Sequence, residues 1–225
     1  MSNLEVLKKI ETIGNGGVAA LATGKVRGFA GYPAELKNRA GTYLLAENNW
    51  VISAMVSVLR DSACQEWFVP LSAGVEYPLH TTLLEGDPLV GLADPQLLEV
   101  EVTTELETDS LRYLPRETEA IFDSLVFDAG GNILLVASEI PSWVLEVRGQ
   151  IAEHYEVAGY KPRPLDNLFH LTIQRVQEKA ESVITTEHFR KYVQVVKLMS
   201  LLPGGIKIRF DRVYRGSAMS LFVKN

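Results

Sequence analysis

At 225 residues with 47% hydrophobic content, the chain can bury a real core as one large domain or two small lobes. A net charge of −6 excludes a broad grip on a nucleic-acid backbone, which needs many phosphates neutralised, but leaves room for a small ligand or strand end held by a local cluster of donors. Cys64 is the single cysteine, so an intramolecular disulfide is excluded, a thiolate metal site is disfavoured, and the residue reads as a small buried hydrophobe.

In chain order, Leu4, Val6, Leu7 and Ile10 predict a short helix broken at Gly14-Asn15-Gly16-Gly17. Residues 24–39, rich in Gly, Pro and charge, read as surface loops and turns. Over residues 42–59 the apolar groups around Asn48-Asn49 suit two strands, or a strand and a short helix. Residues 79–84 then read as a strand ended by Glu85-Gly86-Asp87-Pro88.

Asp94-Pro95 has the form of a helix start, with Leu98, Val102 and Leu106 following at four-residue spacing. The alternation of Leu98, Val100 and Val102 with glutamates keeps a strand open there, and the helix is the preferred expectation. Residues 122–127 and 133–137 form an expected hairpin around the glycine turn at 128–132. A helix over about 142–155 comes next, then a proline loop at 158–164 and a strand at 169–176. Thr186 caps an expected helix to about residue 201. The chain closes as a hairpin, with a strand from Ile206, a turn near Arg215-Gly216 and a last strand at 221–223. No apolar run approaches the roughly 20 residues of a membrane-spanning helix, and residues 1–5 lack the pattern of a signal peptide. The expectation is a cytoplasmic protein with no membrane partner.

Two of these strands carry His-x-Thr: His80-Thr81-Thr82 and His170-Leu171-Thr172. Alternation on a strand projects His80 with Thr82, and His170 with Thr172, so each strand offers an imidazole and a hydroxyl on one face. Phosphodiester cleavage needs a base for the attacking oxygen, an acid for the leaving oxygen and donors for the non-bridging oxygens. Two histidines, titrating near neutrality, and two threonines can supply them. With four histidines in the chain, two such matches arise by chance in roughly several percent of sequences of ordinary composition. The weight therefore falls on the matched strand context and on the separation of the two motifs, one to each half of the chain.

Blander readings compete. His80 and His170 could be structural residues on unrelated strands. A shared zinc would need a third ligand, and no further histidine or cysteine has suitable spacing. His154 and His188 lack the motif and read as helix-surface residues, while Lys161 and Arg163 read as solvated loop charges. Trp67 and the tyrosines could stack on a base but more often belong to a core.

Leu79-His80-Thr81-Thr82-Leu83 and Phe169-His170-Leu171-Thr172-Ile173 both resemble the repeated motif of the LigT-like two-histidine (2H) phosphoesterases. Those proteins carry hydrophobic-His-x-Thr/Ser-hydrophobic twice, on central strands. Arg175 is similar to a basic residue that many members have five positions after the second histidine, although pairing to a carboxylate is an equal reading of it. The hairpin ending at 133–136 and the helix containing Arg148 also resemble the family's order of elements.

The likeness covers about residues 42–225, leaving 1–40 as a helix and loop extension ahead of a single domain at 41–225. It implies an α+β, bilobal fold: two similar lobes of antiparallel sheet with flanking helices around a central cleft. It implies a metal-free, cofactor-free phosphodiesterase with His80 and His170 catalytic and with Thr82, Thr172 and Arg175 on the phosphate. The implied partner is a nucleotide or RNA end bearing a cyclic phosphate or other phosphodiester, and the implied state is a monomer. The resemblance chooses neither among 2′,3′-cyclic phosphates, 2′-5′ linkages and ADP-ribose cyclic phosphate, nor between the histidines as acid and base. A non-catalytic module that keeps the cleft to hold a nucleotide or RNA end is the alternative.

Overall fold

A computed structural model describes residues 3–26, 39–47, 49–54, 79–93, 100–101, 118–163, 168–175 and 204–217. Cys64, Trp67, His188, the helix expected over 186–201 and the strand expected over 221–223 lie outside the described residues. The architecture is mixed helix and antiparallel sheet.

Helix α1 (Asn3–Thr23) runs straight through the glycines expected to end it. Glycine inside a helix costs about 1 kcal/mol relative to alanine, so the persistence of α1 needs a tertiary cause. That cause is a close approach to a strand: a Cβ on Gly17 would collide with the backbone carbonyl of Phe127. Val6, Ile10 and Ile13 on the same helix pack over Val126, Leu134, Val136 and Leu168.

Nine strands are present among the described residues: β1 (Ala40–Ala46), β2 (His80–Pro88), β3 (Val100–Glu101), β4 (Glu119–Phe122), β5 (Ser124–Phe127), β6 (Asn132–Val136), β7 (Tyr160–Pro162), β8 (His170–Arg175) and β9 (Ile206–Ser217). They join in the order β3-β9-β1-β2-β8-β6-β5, with β4 also on β9 and β7 also on β2. Only Asp123 separates β4 from β5, and the long β9 pairs with β4 through its first half and with β1 through its second. The sheet therefore returns toward itself and is nearly closed.

Helix α2 (Ser142–Val157) covers the face opposite the first half of α1, seating Val144, Val147, Ile151 and Tyr155 in the main core with Leu44, Leu83, Leu135, Phe169 and Leu171, a core that α1 reaches through Ala20 and Leu21. The turn between β5 and β6 is held by Asp128, whose carboxylate accepts from the Asn132 backbone N–H and side-chain amide, both at 2.8 Å. Gly131 there takes a φ of 81°. Among the described residues, no helix is long and apolar enough to cross a membrane.

Four further local expectations change. Strand β2 runs on through Glu85-Gly86-Asp87-Pro88, expected to end it, with Gly86 to Pro88 paired to β7. Val100 and Glu101, expected in a helix, pair as a strand with Arg215 and Tyr214. Pro162, expected in a loop, ends the short β7, a position where its missing N–H breaks no long ladder. The turn expected at Arg215-Gly216 is absent, because β9 continues to Ser217 with Gly216 opposite Gly41. Residues 50–54 are helical, as one of the two expected alternatives, with the Asn49 side chain accepting from the Val51 N–H at 3.0 Å.

The glycines of α1 give a paired test. Gly17→Ala must push α1 off the Phe127 carbonyl and is expected to destabilise the protein by about 1–3 kcal/mol. Gly16→Ala meets nothing within 4 Å and is expected to stabilise it by up to about 1 kcal/mol. Urea unfolding of the two variants checks both signs.

Candidate active site

Strands β2 and β8 are neighbours at the middle of the sheet, running antiparallel with Thr81 opposite Leu171. Both of those side chains are buried on the α2 side. Carrying the register one residue each way sets His80 opposite Thr172 and Thr82 opposite His170, all four on the other face. Facing Cβ atoms on such a pair lie about 5 Å apart and diagonal ones about 7–8 Å, so the imidazoles form one diagonal of a small square and the hydroxyls the other. His80 and Thr172 are 5% and 8% exposed, while Thr82 and His170 are half-buried and open the square to the surface.

The neighbouring strands shape its rim. Tyr43 on β1 meets His80 edge to face, with ring centroids 5.3 Å apart at 89°, and Tyr214 on β9 lies 6.2 Å beyond Tyr43. On the other flank, Val136 stands opposite His170 and Leu134 opposite Thr172, both under α1.

Each motif strand also carries an irregularity at the same place. Thr82 faces Tyr43 and Leu84 faces Thr42, so Leu83 is an extra residue relative to β1. Thr172 faces Leu134 and Gln174 faces Ile133, so Ile173 is an extra residue relative to β6. Such bulges bend a strand and re-aim the side chains beyond them. Strict alternation would turn Arg175 to the α2 side with Leu171. The bulge instead pairs it with Asn132, two positions along β6 from Leu134, and returns it to the histidine face. Arg175 is close enough there to act electrostatically on His170.

The structure thus brings some of the expected site residues together and sets others apart. His80, Thr82, His170, Thr172 and Arg175 share one face of two adjacent strands. His154 is on α2, on the other side of the sheet. Lys161 is exposed on β7, and Arg163 reaches Asp87 at 3.5 Å in a partly exposed pair that Arg39 joins at 3.1 Å. Among the described residues, no group of three or more His, Cys, Asp or Glu is placed to hold a metal ion.

Sequence reasoning missed Arg148. It lies on the apolar stripe of α2, between Val144 and Ile151, and is 8% exposed. Its Nε donates to the Leu83 carbonyl at 2.8 Å and its Nη2 to the Leu168 carbonyl at 2.9 Å, with the Thr82 carbonyl at 3.5 Å. A charged residue on the buried stripe of an amphipathic helix was the available signal, since such a group must find acceptors inside. Burial lowers the pKa of this guanidinium to about 10, which leaves it charged at neutral pH.

Burial, then Arg148, then Arg175 push His170 down to about 4, so its ring is neutral at physiological pH. Its Nδ1 is buried without a hydrogen-bond partner in the protein. Neither a protein-family model nor a curated protein matches the chain. Among solved structures, that of Kluyveromyces marxianus Usb1 is similar at 15% identity, over 81% of this chain and 95% of that chain, with a TM-score of 0.41.

The neutral His170 has a consequence for stability. Unfolded, the ring takes up a proton near its ordinary value of about 6.5, whereas folded it does so only near 4. Between those values the unfolded chain binds more protons, so stability is complete above about 6.5 and is lost as pH falls toward 4. His170→Gln is expected to flatten this slope by an amount on the order of 1–3 kcal/mol, read from urea midpoints of the two proteins across that window.

Proposed function

We propose that this chain is a two-histidine phosphodiesterase that hydrolyses a cyclic or internucleotide phosphodiester, with a 2′,3′-cyclic phosphate on a nucleotide or RNA end as the substrate class. The observation that carries this reading is the register of β2 on β8, which gathers two imidazoles and two hydroxyls from distant parts of the chain into one patch. Two lobes meeting at that seam are part of the same reading, because β9-β1-β2 on one side and β8-β6-β5 on the other repeat the same bulge after the same motif.

In-line displacement puts the attacking and leaving oxygens on opposite sides of phosphorus, and diagonal imidazoles suit that demand. His170, neutral at rest, takes the proton of the attacking water as the new P–O bond forms. His80, acting in its protonated form, gives its proton to the ribose oxygen as the old P–O bond breaks. Thr82 and Thr172 donate to the non-bridging oxygens, and Arg175 adds positive charge beside them.

Alanine at His80 or at His170 is expected to cut turnover by at least about a hundredfold with the thermal midpoint little changed. The assay is a panel of 2′,3′-cyclic nucleotides and cyclic-phosphate-ended RNAs. Wild-type rates in either variant on a substrate the protein cleaves would refute the assignment, and tight binding of nucleoside monophosphates without any turnover would favour a binding module. With His170 as base, the acid limb of the pH–rate profile is expected near 4 rather than near 6.5.

A further inference from the structure

Beyond Thr81 and Leu171, the backbone ladder between β2 and β8 stops. Farther along the same edge of β2, Glu85 accepts from the Arg163 N–H at 2.8 Å and residues Gly86 to Pro88 pair with β7. The stretch between is bridged by the guanidinium of Arg148, which holds the carbonyls of Thr82 and Leu83 on β2 and of Leu168 just before β8. Backbone carbonyls inside a protein must find donors, and the planar fork of an arginine can serve two strands at once. The bridged residues include Thr82 itself, two positions after His80, and Leu168, two positions before His170.

We propose that Arg148 is a positioning residue for the histidine pair: it fixes the spacing of the two motif strands where their own ladder is broken, and it sets a permanent positive charge beside His170. This rests on the phosphodiesterase reading above for its meaning, but not for its test. The described charged groups that act on His170 are Arg148, from α2 behind the strand, and Arg175 from its own strand; on its own face its neighbours are Thr82 and His80 of β2 and Val136 of β6. Two cations thus act on one imidazole. Arg175 sits at the strand end, and Arg148 is hydrogen-bonded to the backbone on both sides of the seam. A ring beside a fixed cation stays unprotonated and ready to accept a proton.

The experiment separates the charge from the grip. Arg148→Gln keeps N–H donors and removes the charge; Arg148→Lys keeps the charge and loses the fork. The midpoint of His170 is followed by NMR of the imidazole carbon signals across pH, assigned by His170→Gln. In Arg148→Gln it is expected to rise, burial and Arg175 still holding it below its ordinary value, and in Arg148→Lys to stay at the wild-type value. In the Lys protein the turnover plateau is expected to fall about tenfold or more with its acid limb unmoved, because the strands are no longer held in register. An unshifted His170 midpoint in the folded Gln protein, or equal shifts in both variants, overturns the inference. Arg148→Met replaces the Gln variant should the latter not fold. A wild-type protein that cleaves nothing in the substrate panel sinks the phosphodiesterase reading and leaves the His170 titration to decide this one.

Discussion

Everything at the candidate site depends on the seam between β2 and β8. One registered pair, Thr81 with Leu171, fixes which side chains face which way, and a slip by one residue would turn those two onto the present histidine face and both histidines toward α2. A seam with so little ladder is a weak place to locate chemistry unless something else holds it. Arg148 does so from behind, and the cost of burying its charge is offset in part by three carbonyl acceptors, its Nη1 being left without a partner in the protein. The same guanidinium then contributes to the electrostatics of the histidine face, coupling the strand spacing to the protonation of His170.

The paired bulges explain how two ordinary strands present matching sites. Leu83 and Ile173 occupy the same position relative to their histidines, and both are buried on the α2 side. Beyond each bulge the fifth residue after the histidine returns to the histidine face: Glu85, opposite Gly41 and held by Arg39 at 3.3 Å, and Arg175, opposite Asn132. The backbone device is duplicated while the charges it delivers are opposite. One end of the site is therefore neutralised by ion pairs and the other carries the arginine that acts on His170.

Much of this was legible beforehand, for identifiable reasons. The two motif strands, the β5–β6 hairpin and α2 stood out because apolar alternation, a glycine turn and helical periodicity are local properties. The glycines of α1 misled because their cause, contact with Phe127, lies over a hundred residues away in sequence. The break expected at Arg215-Gly216 failed for the same reason, since the pairing of Gly216 with Gly41 overrides the local preference of glycine for a turn. Within the site, alternation paired each histidine with its threonine but could not say that the strands were neighbours. Neither the bulges nor the grip of Arg148 leave a clear trace in one sequence, because both are defined by what lies on the adjacent strand.

The strand β9 also governs when the site can come into being. It completes the sheet by joining β1 to β4, and β1 is the strand on which β2 leans. During synthesis, the first histidine strand must therefore wait for partners encoded some ninety residues later in β8, and its neighbour β1 for others later still in β9. Pairings this distant in sequence are entropically slow to close, so β1 and β2 keep unpaired edges until β8 and β9 have been made. The histidine patch would then be acquired in one step, when the last of these strands pairs, rather than built up along the chain.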